Sequence, residues 1–251
     1  MKYSLGTTFN WRLIVKIEAC HLVGCGGTGS HLALPLAQLL TLKSHTRDFI
    51  FYDGDEYEEN NFTRQVMSKK DLGKNKALTT VERLENCLPN AKFTAVEQYV
   101  TPIMLKEWLS QYNSNEEDSW QVVVLAVDND STRHELIKCI DKFSGNVFVL
   151  LPGNGYHTSN VLWYMSNSKG ECVPMHPFNL AANWAKPQDK PRYSCQYEAD
   201  SSPQLIVANF SAAFFTLSIV RALLDGRVPP MVLNYNDDTQ ILTHEGVLDE
   251  I

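Results

Sequence analysis

Val122, Val123, Val124, Leu125, Ala126 and Val127 run without a polar interruption into Asp128. A strand that is apolar on both faces must be covered on both faces, the condition of an interior strand in a parallel sheet with helices above and below. The rest of the chain agrees. Strand patterns near residues 19–23, 49–52, 93–96 and 147–151 alternate with helical patterns near 30–42, 74–88, 102–109 and 131–142, which is the signature of an α/β fold. Ala77, Leu78, Val81, Leu84 and Leu88 share one face of the second helix, and Pro102 stands in the first turn of the third. After residue 151 the pattern changes. A strand at 161–165 leads into a long polar stretch over 166–202, then an apolar run over 205–224. Two short strands at 231–235 and 240–243 flank Asn236, Asp237, Asp238 and Thr239, a hairpin signal. The expected fold is α/β: a Rossmann-like, mainly parallel sheet flanked by helices, continuing into an antiparallel C-terminal half. One domain is expected over residues 1–251, with a long crossover-type loop at about 166–202.

A formal net charge of −7 makes the chain a poor candidate for binding nucleic acid or anionic membranes. Its six cysteines are scattered, no CxxC pair occurs, and residues 1–12 are polar and mixed rather than a signal segment. These features predict free thiols in a cytoplasmic setting. The apolar run at 205–224 contains Asn209, Ser211, Thr216, Ser218 and Arg221, so it reads as a buried helix rather than a membrane span.

Between the first strand and the first helix lies a glycine loop, in which Gly24, Gly26 and Gly29 fit GxGxxG and Gly27 adds a fourth glycine. The first glycine permits a tight turn, the second lets backbone approach a phosphate, and the third lets the helix pack on the strand. Asp53 ends the second strand, where a carboxylate can accept from ribose hydroxyls. The glycines do not decide between a dinucleotide and ATP. The residues after the second strand do. Asn61 and Arg64, followed by Lys76, offer cationic and amide partners that a triphosphate needs and a pyrophosphate held by helix N–H groups does not. Asp128 and Asn129 follow the central strand, at the end where ligands bind in open α/β sheets, and Asp128 is placed to hold Mg²⁺ bridging phosphates.

Taken together, these segments resemble the ThiF/MoeB/HesA superfamily, the bacterial relatives of ubiquitin-activating enzymes. The family's GxGGxGS loop is matched by residues 24–30. Its D-x-D…N-x-x-R-Q is matched by Asp53, Asp55, Asn61, Arg64 and Gln65. Its G-x-x-K-A is matched by Gly73, Lys76 and Ala77, and its D-N followed by Arg by Asp128, Asn129 and Arg133. Within the superfamily the chain looks most like the compact ThiF-type proteins of PRTRC systems. The resemblance implies ATP and Mg²⁺ as cofactors. It implies adenylation of the C-terminal glycine carboxylate of a small ubiquitin-like protein or peptide, with pyrophosphate released. Asp53 would then hold the ribose, Asn61, Arg64, Gln65 and Lys76 would surround the triphosphate, and Asp128 would bind Mg²⁺. The family's CxxC zinc pairs are missing, and Cys172, His176 and Cys195 are a thin substitute, so a structural zinc is not expected. Some relatives form an adduct on a loop cysteine; Cys195 is preferred over Cys172 for that role. Arg12 is the only nearby counterpart of an arginine that some relatives lend to a partner subunit, and the apolar helix is compatible with a homodimer. Two other readings stay open: an inactive nucleotide-binding scaffold of the same fold, and an NAD(P)-dependent oxidoreductase that would leave residues 61–65 and Lys76 unused.

Overall fold

The computed structural model describes residues 16–112, 119–168, 172–180 and 205–245. The chain enters through β1 (Lys16–Val23) and α1 (Gly27–Ser44), then β2 (Asp48–Tyr52), α2 (Lys76–Cys87), β3 (Lys92–Val96) and α3 (Pro102–Gln111). It continues through β4 (Ser119–Leu125), α4 (Asp130–Ile140), β5 (Val147–Asn154), β6 (Thr158–Ser166), β7 (Cys172–Val173) and the short α5 (Pro177–Leu180). Helix α6 (Ile206–Leu224) and the hairpin β8 (Val232–Asn236) and β9 (Ile241–Glu245) complete it. The nine strands form one sheet in the order β3-β2-β1-β4-β5-β6-β8-β9, with β7 beside β6. Strands β3 to β5 pair in parallel, and β5 to β9 pair antiparallel.

The apolar run at 122–127 explains the arrangement. Val122 and Val124 face the core beneath α1, α2 and α6, whereas Val123 and Leu125 face the core beneath α3 and α4. All four are fully buried, so neither face has room for a polar residue. The strand starts earlier and ends sooner than the apolar run suggests. Ser119, Trp120 and Gln121 extend it because β1 is long enough to pair with them, and after Leu125 only the Ala126 N–H still reaches Val23 O, at 2.8 Å.

Strand β1 lies between β2 and β4, so the chain order reverses there. Val23 is paired with Tyr52 on one side and with Leu125 on the other. The glycine loop, Asp53 and residues 126–128 therefore leave the sheet side by side, at the crevice where open α/β sheets bind ligands.

Helix α6 is apolar nearly throughout, and by length and composition alone it could cross a membrane. Here it packs on α1, β5 and β6 through Ala208, Ala212, Ala213, Ile219, Val220 and Leu223. Its other face exposes Ile206, Val207, Phe210 and Phe214. A 2.8 Å ion pair from Lys43 to Asp225 joins the ends of α1 and α6. Within the stretch expected as a loop, β7 and α5 are ordered elements on the β6 side, and residues 181–204 lie outside the described residues.

Candidate active site

The glycine loop is built by close approach. Gly24 has a φ of 92°, which favours glycine, and its N–H donates to Tyr52 O at 2.8 Å. A Cβ there would sit 2.6 Å from Ala126 O, and one at Gly29 would overlap the carbonyl oxygen of Gly24. Helix α1 starts at Gly27, earlier than the apolar periodicity predicts, because the turn closes within Gly24, Cys25 and Gly26. Its N-cap Gly26 provides no side-chain acceptor, and its first turn has no acidic residue. The first N–H groups of α1 are thus left for an anion.

Asp53 braces this loop. One carboxylate oxygen accepts the Cys25 N–H at 2.7 Å and the other the Asp55 N–H at 2.9 Å. Burial pushes its carboxyl above the ordinary range, while Lys76 and the two N–H donors pull the other way. A carboxylate has about four acceptor sites, so ribose hydroxyls still find room. Asn75 caps α2 by accepting from Leu78 N–H at 3.0 Å, and its amide donates to Asp53 O and Asp55 O at 2.8 and 3.2 Å. That clasp sets Lys76, which is only 7% exposed, with Nζ 3.2 Å from the Asp55 carboxylate. Tyr99 lies over Gly54 and donates its hydroxyl to the same carboxylate.

Asp128 keeps an exposed face on the crevice, yet surrounding protein withdraws water and raises its carboxyl; Asp55 adds to the rise, and Arg133 and Lys76 oppose it. Asn129 is the N-cap of α4, accepting from Thr132 N–H at 3.0 Å. Arg133 is buried and donates to Pro152 O at 2.6 Å. Among the described residues no group of three or more His, Cys, Asp or Glu side chains is placed to hold a metal ion. Asp128 fits Mg²⁺ as a single carboxylate ligand, the remaining positions falling to phosphates and water, as that ion usually prefers.

On the other side of the loop the residues are polar, buried and incompletely paired. Thr28 Oγ1, Arg64 Nε, Gln65 Oε1 and Asn209 Nδ2 have no hydrogen-bond partner among the described residues. Arg64 is 6% exposed and makes no ion pair there. The segment is docked on α1: the Val66 N–H donates to Ser30 Oγ at 3.1 Å, and His31 Nε2 lies 3.1 Å from Arg64 O. A buried guanidinium without an anion is costly, so an anionic ligand suits this spot. Asn61 builds the turn that carries these groups. Its Oδ1 accepts from Glu58 N–H at 3.1 Å, its Nδ2 donates to Asn60 at 2.7 Å, and its carbonyl takes the N–H of Arg64 and Gln65 at 3.1 and 2.9 Å.

The crevice therefore gathers Gly24, Gly26, Gly27, Gly29, Asp53, Asp55, Lys76 and Asp128, with Arg64 and Gln65 beside α1, while Asn61 and Asn129 serve the local backbone. Sequence reasoning missed Thr28, Tyr99 and Asn209. The signal for Asn209 was visible, a lone amide in an apolar helix. Cys25 is fully buried, and burial lifts its thiol far above the ordinary range, so it packs. His21 is a core residue, 2.9 Å from Tyr52 Oη and 3.1 Å from Gln121 Oε1.

Cys172 does not reach the crevice. It pairs with Ser166, which faces Val147 at the start of β5, whereas the crevice lies at the end of β5. At ~3.3 Å per residue the two ends of this strand are roughly 23 Å apart. Burial and Asp141 push the Cys172 thiol up to about 12. His176 lies 3.1 Å from Asp141 rather than in a cysteine cluster. Cys195 and Arg12 lie outside the described residues.

Known proteins bear on this geometry. The model of the ThiF family matches residues 14–222. The chain belongs to the ThiF family. A curated relative, the adenylyltransferase and sulfurtransferase uba4 of Aspergillus niger, is 29% identical over 114 residues, 45% of this chain and 21% of uba4. Escherichia coli MccB, solved with AMPCPP and MccA, superposes with a TM-score of 0.63 at 18% identity, over 96% of this chain and 66% of MccB. PaaA superposes with a TM-score of 0.60 at 16% identity, over 96% of this chain and 67% of PaaA. This ThiF-family chain thus spans about a fifth of uba4 and about two thirds of MccB and PaaA. The structural likeness extends through the antiparallel C-terminal half.

Proposed function

We propose that this chain is an ATP-dependent adenylyltransferase that activates a C-terminal carboxylate. The observation that carries the reading is the buried Arg64, whose Nε has no partner among the described residues, beside a capless α1 N-terminus, with Lys76 and Asp128 across the loop. That set supplies what a triphosphate needs and a dinucleotide does not. Family membership supports the reading, as do the adenylyltransferase description of uba4 and the AMPCPP and MccA bound to MccB.

The step needs no protein nucleophile. An oxygen of the acceptor carboxylate attacks the α-phosphorus, the bond from that phosphorus to the β-bridging oxygen breaks, and pyrophosphate leaves with the electron pair. The product is an acyl-adenylate. Helix α1 and Arg64 hold the phosphates, and Lys76, shared with Asp55, neutralises charge that shifts to the leaving group. Mg²⁺ on Asp128 would supply further neutralisation across the phosphates. The acceptor in this proposal is a small ubiquitin-like protein or peptide ending in glycine, as the resemblance to the ThiF/MoeB/HesA superfamily also implies. A homodimer through the exposed face of α6 is part of the same proposal. The distance of Cys172 from the crevice supports Cys195, rather than Cys172, as the site of any later adduct in this proposal.

The test is exchange of labelled pyrophosphate into ATP with candidate acceptors ending in glycine. Acceptor-dependent exchange that drops on the order of a hundredfold in Arg64→Ala is expected. Nucleotide binding without exchange for any acceptor would favour the scaffold reading, and binding of NAD in place of ATP the oxidoreductase.

A further inference from the structure

Helix α6 buries two polar side chains, and they differ. Thr216 is satisfied within the helix, its hydroxyl donating to Ala212 O at 2.7 Å. Asn209 has no such outlet. It is 0% exposed, its Oδ1 accepts from Asn154 Nδ2 at 2.5 Å, and its own Nδ2 has no partner among the described residues. The amide is aimed at the first turn of α1. A Cβ added to Gly27 would lie 2.5 Å from Asn209 Oδ1 and 2.9 Å from Nδ2. Gly27 is therefore glycine because Asn209 occupies the space a side chain would take.

Two unmet needs coincide at this point. The first turn of α1 has donor groups and no cap. Beside it is a buried amide with a donor and, among the described residues, no acceptor. An apolar helix would gain by carrying leucine or alanine here, because a buried donor left unpaired is destabilising. A phosphate oxygen at the α1 N-terminus satisfies both needs. We infer that Asn209 is a phosphate-binding residue: with Oδ1 anchored on Asn154, its Nδ2 donates to a phosphate oxygen of the bound nucleoside triphosphate. The inference rests on the triphosphate reading of the crevice and extends it from the glycine loop to α6. Asn154 at the end of β5 then acts as the positioning residue that fixes the amide's orientation.

The experiment is calorimetric titration of the wild-type chain, Asn209→Asp and Asn209→Ala with Mg-ATP and, separately, with adenosine, beside a melting curve for each. Asn209→Asp keeps the acceptor for Asn154 and replaces the donor by a negative charge. Its affinity for Mg-ATP falls at least about tenfold, while adenosine affinity stays within about twofold. Asn209→Ala removes the donor without adding charge and loses less affinity for Mg-ATP, again sparing adenosine. If Asn209→Asp does not fold, Asn209→Ala carries the test alone. Variants that bind Mg-ATP like the wild type, whatever their melting temperatures, overturn the inference and leave the Asn154 to Asn209 contact as packing register only. Failure of the wild-type chain to bind Mg-ATP at all is a separate outcome that overturns the triphosphate reading and this inference with it.

Discussion

His21 shows how a single residue couples this core to pH. Burial lowers its imidazole from 6.5 to about 4, with the hydrogen bond to Gln121 opposing the shift. Above pH 6.5 the ring is neutral in both folded and unfolded chains. Below it the unfolded chain takes up a proton that the folded one refuses, so stability falls with pH until about 4, by roughly 3 kcal/mol at most. Burial lowers His31 as well, adding to the same trend. His21→Gln, which keeps an amide among the same partners, should flatten the dependence of the urea midpoint on pH between 6.5 and 4; an unchanged slope would refute this account. The glycines make a second prediction at this scale. Gly24→Ala must place a side chain at a φ of 92° against Ala126 O, and should destabilise by about 1–3 kcal/mol, measured by chemical denaturation. Gly73, also at positive φ but with nothing near its Cβ position, should lose less on the same change. That Asp53, Lys76 and Asp128 meet at one crevice was legible in the chain, because Asp53 and Asp128 follow strand ends and Lys76 opens a helix beside them. The pairing of Asn61 and Asn129 with nearby backbone was not legible, since the same amide suits a turn, a cap or a ligand.

At the scale of elements, α1 and α6 carry the account. Among the described residues their contact is the most extensive between helices, and it places Asn209 beside Gly27. The early start of α1 was hidden in the sequence because glycines read as loop, and only the turn's geometry shows that Gly27 and Gly29 are helical. That α6 packs in the fold was legible from its polar residues, of which Asn209 and Thr216 are buried while Arg221 is exposed. Which face stays exposed was not, because nearly every position is apolar and no stripe stands out. The structure leaves Phe210 60% and Phe214 56% exposed, one turn apart, with Phe210 edge-on to His31. A pair of aromatic rings one turn apart on an open helix face suits a self-association surface. Sedimentation of the wild-type chain should report a dimer, and the double variant Phe210→Glu with Phe214→Glu should be monomeric with an unchanged melting profile. A monomeric wild type removes the homodimer from the proposal.

For the molecule as a whole, the alternation of strands and helices and the change from parallel to antiparallel pairing followed from hydrophobic runs and from the hairpin residues near 236–239, whereas the order of strands in the sheet is set by tertiary pairing. The segment over 166–202 did not follow, because polar, proline-containing sequence says little about where β7 and α5 dock. That docking decides the chemistry of Cys172, which sits at the sheet end away from the crevice. Alkylation at neutral pH should label exposed Cys87 far faster than Cys172, and Cys172→Ser should leave pyrophosphate exchange unchanged; loss of exchange in that variant would contradict the placement. The central claim, that the crevice is built for a triphosphate, is tested most directly by melting the purified chain with Mg-ATP, with ATP plus chelator and with NAD, beside Arg64→Ala and Asp128→Ala. A ligand at about a hundred times its dissociation constant adds roughly 2.7 kcal/mol, several degrees for a chain of this size. A rise with Mg-ATP that the chelator reduces and both variants lose is the predicted result; a rise with NAD alone, or with no nucleotide, contradicts the account.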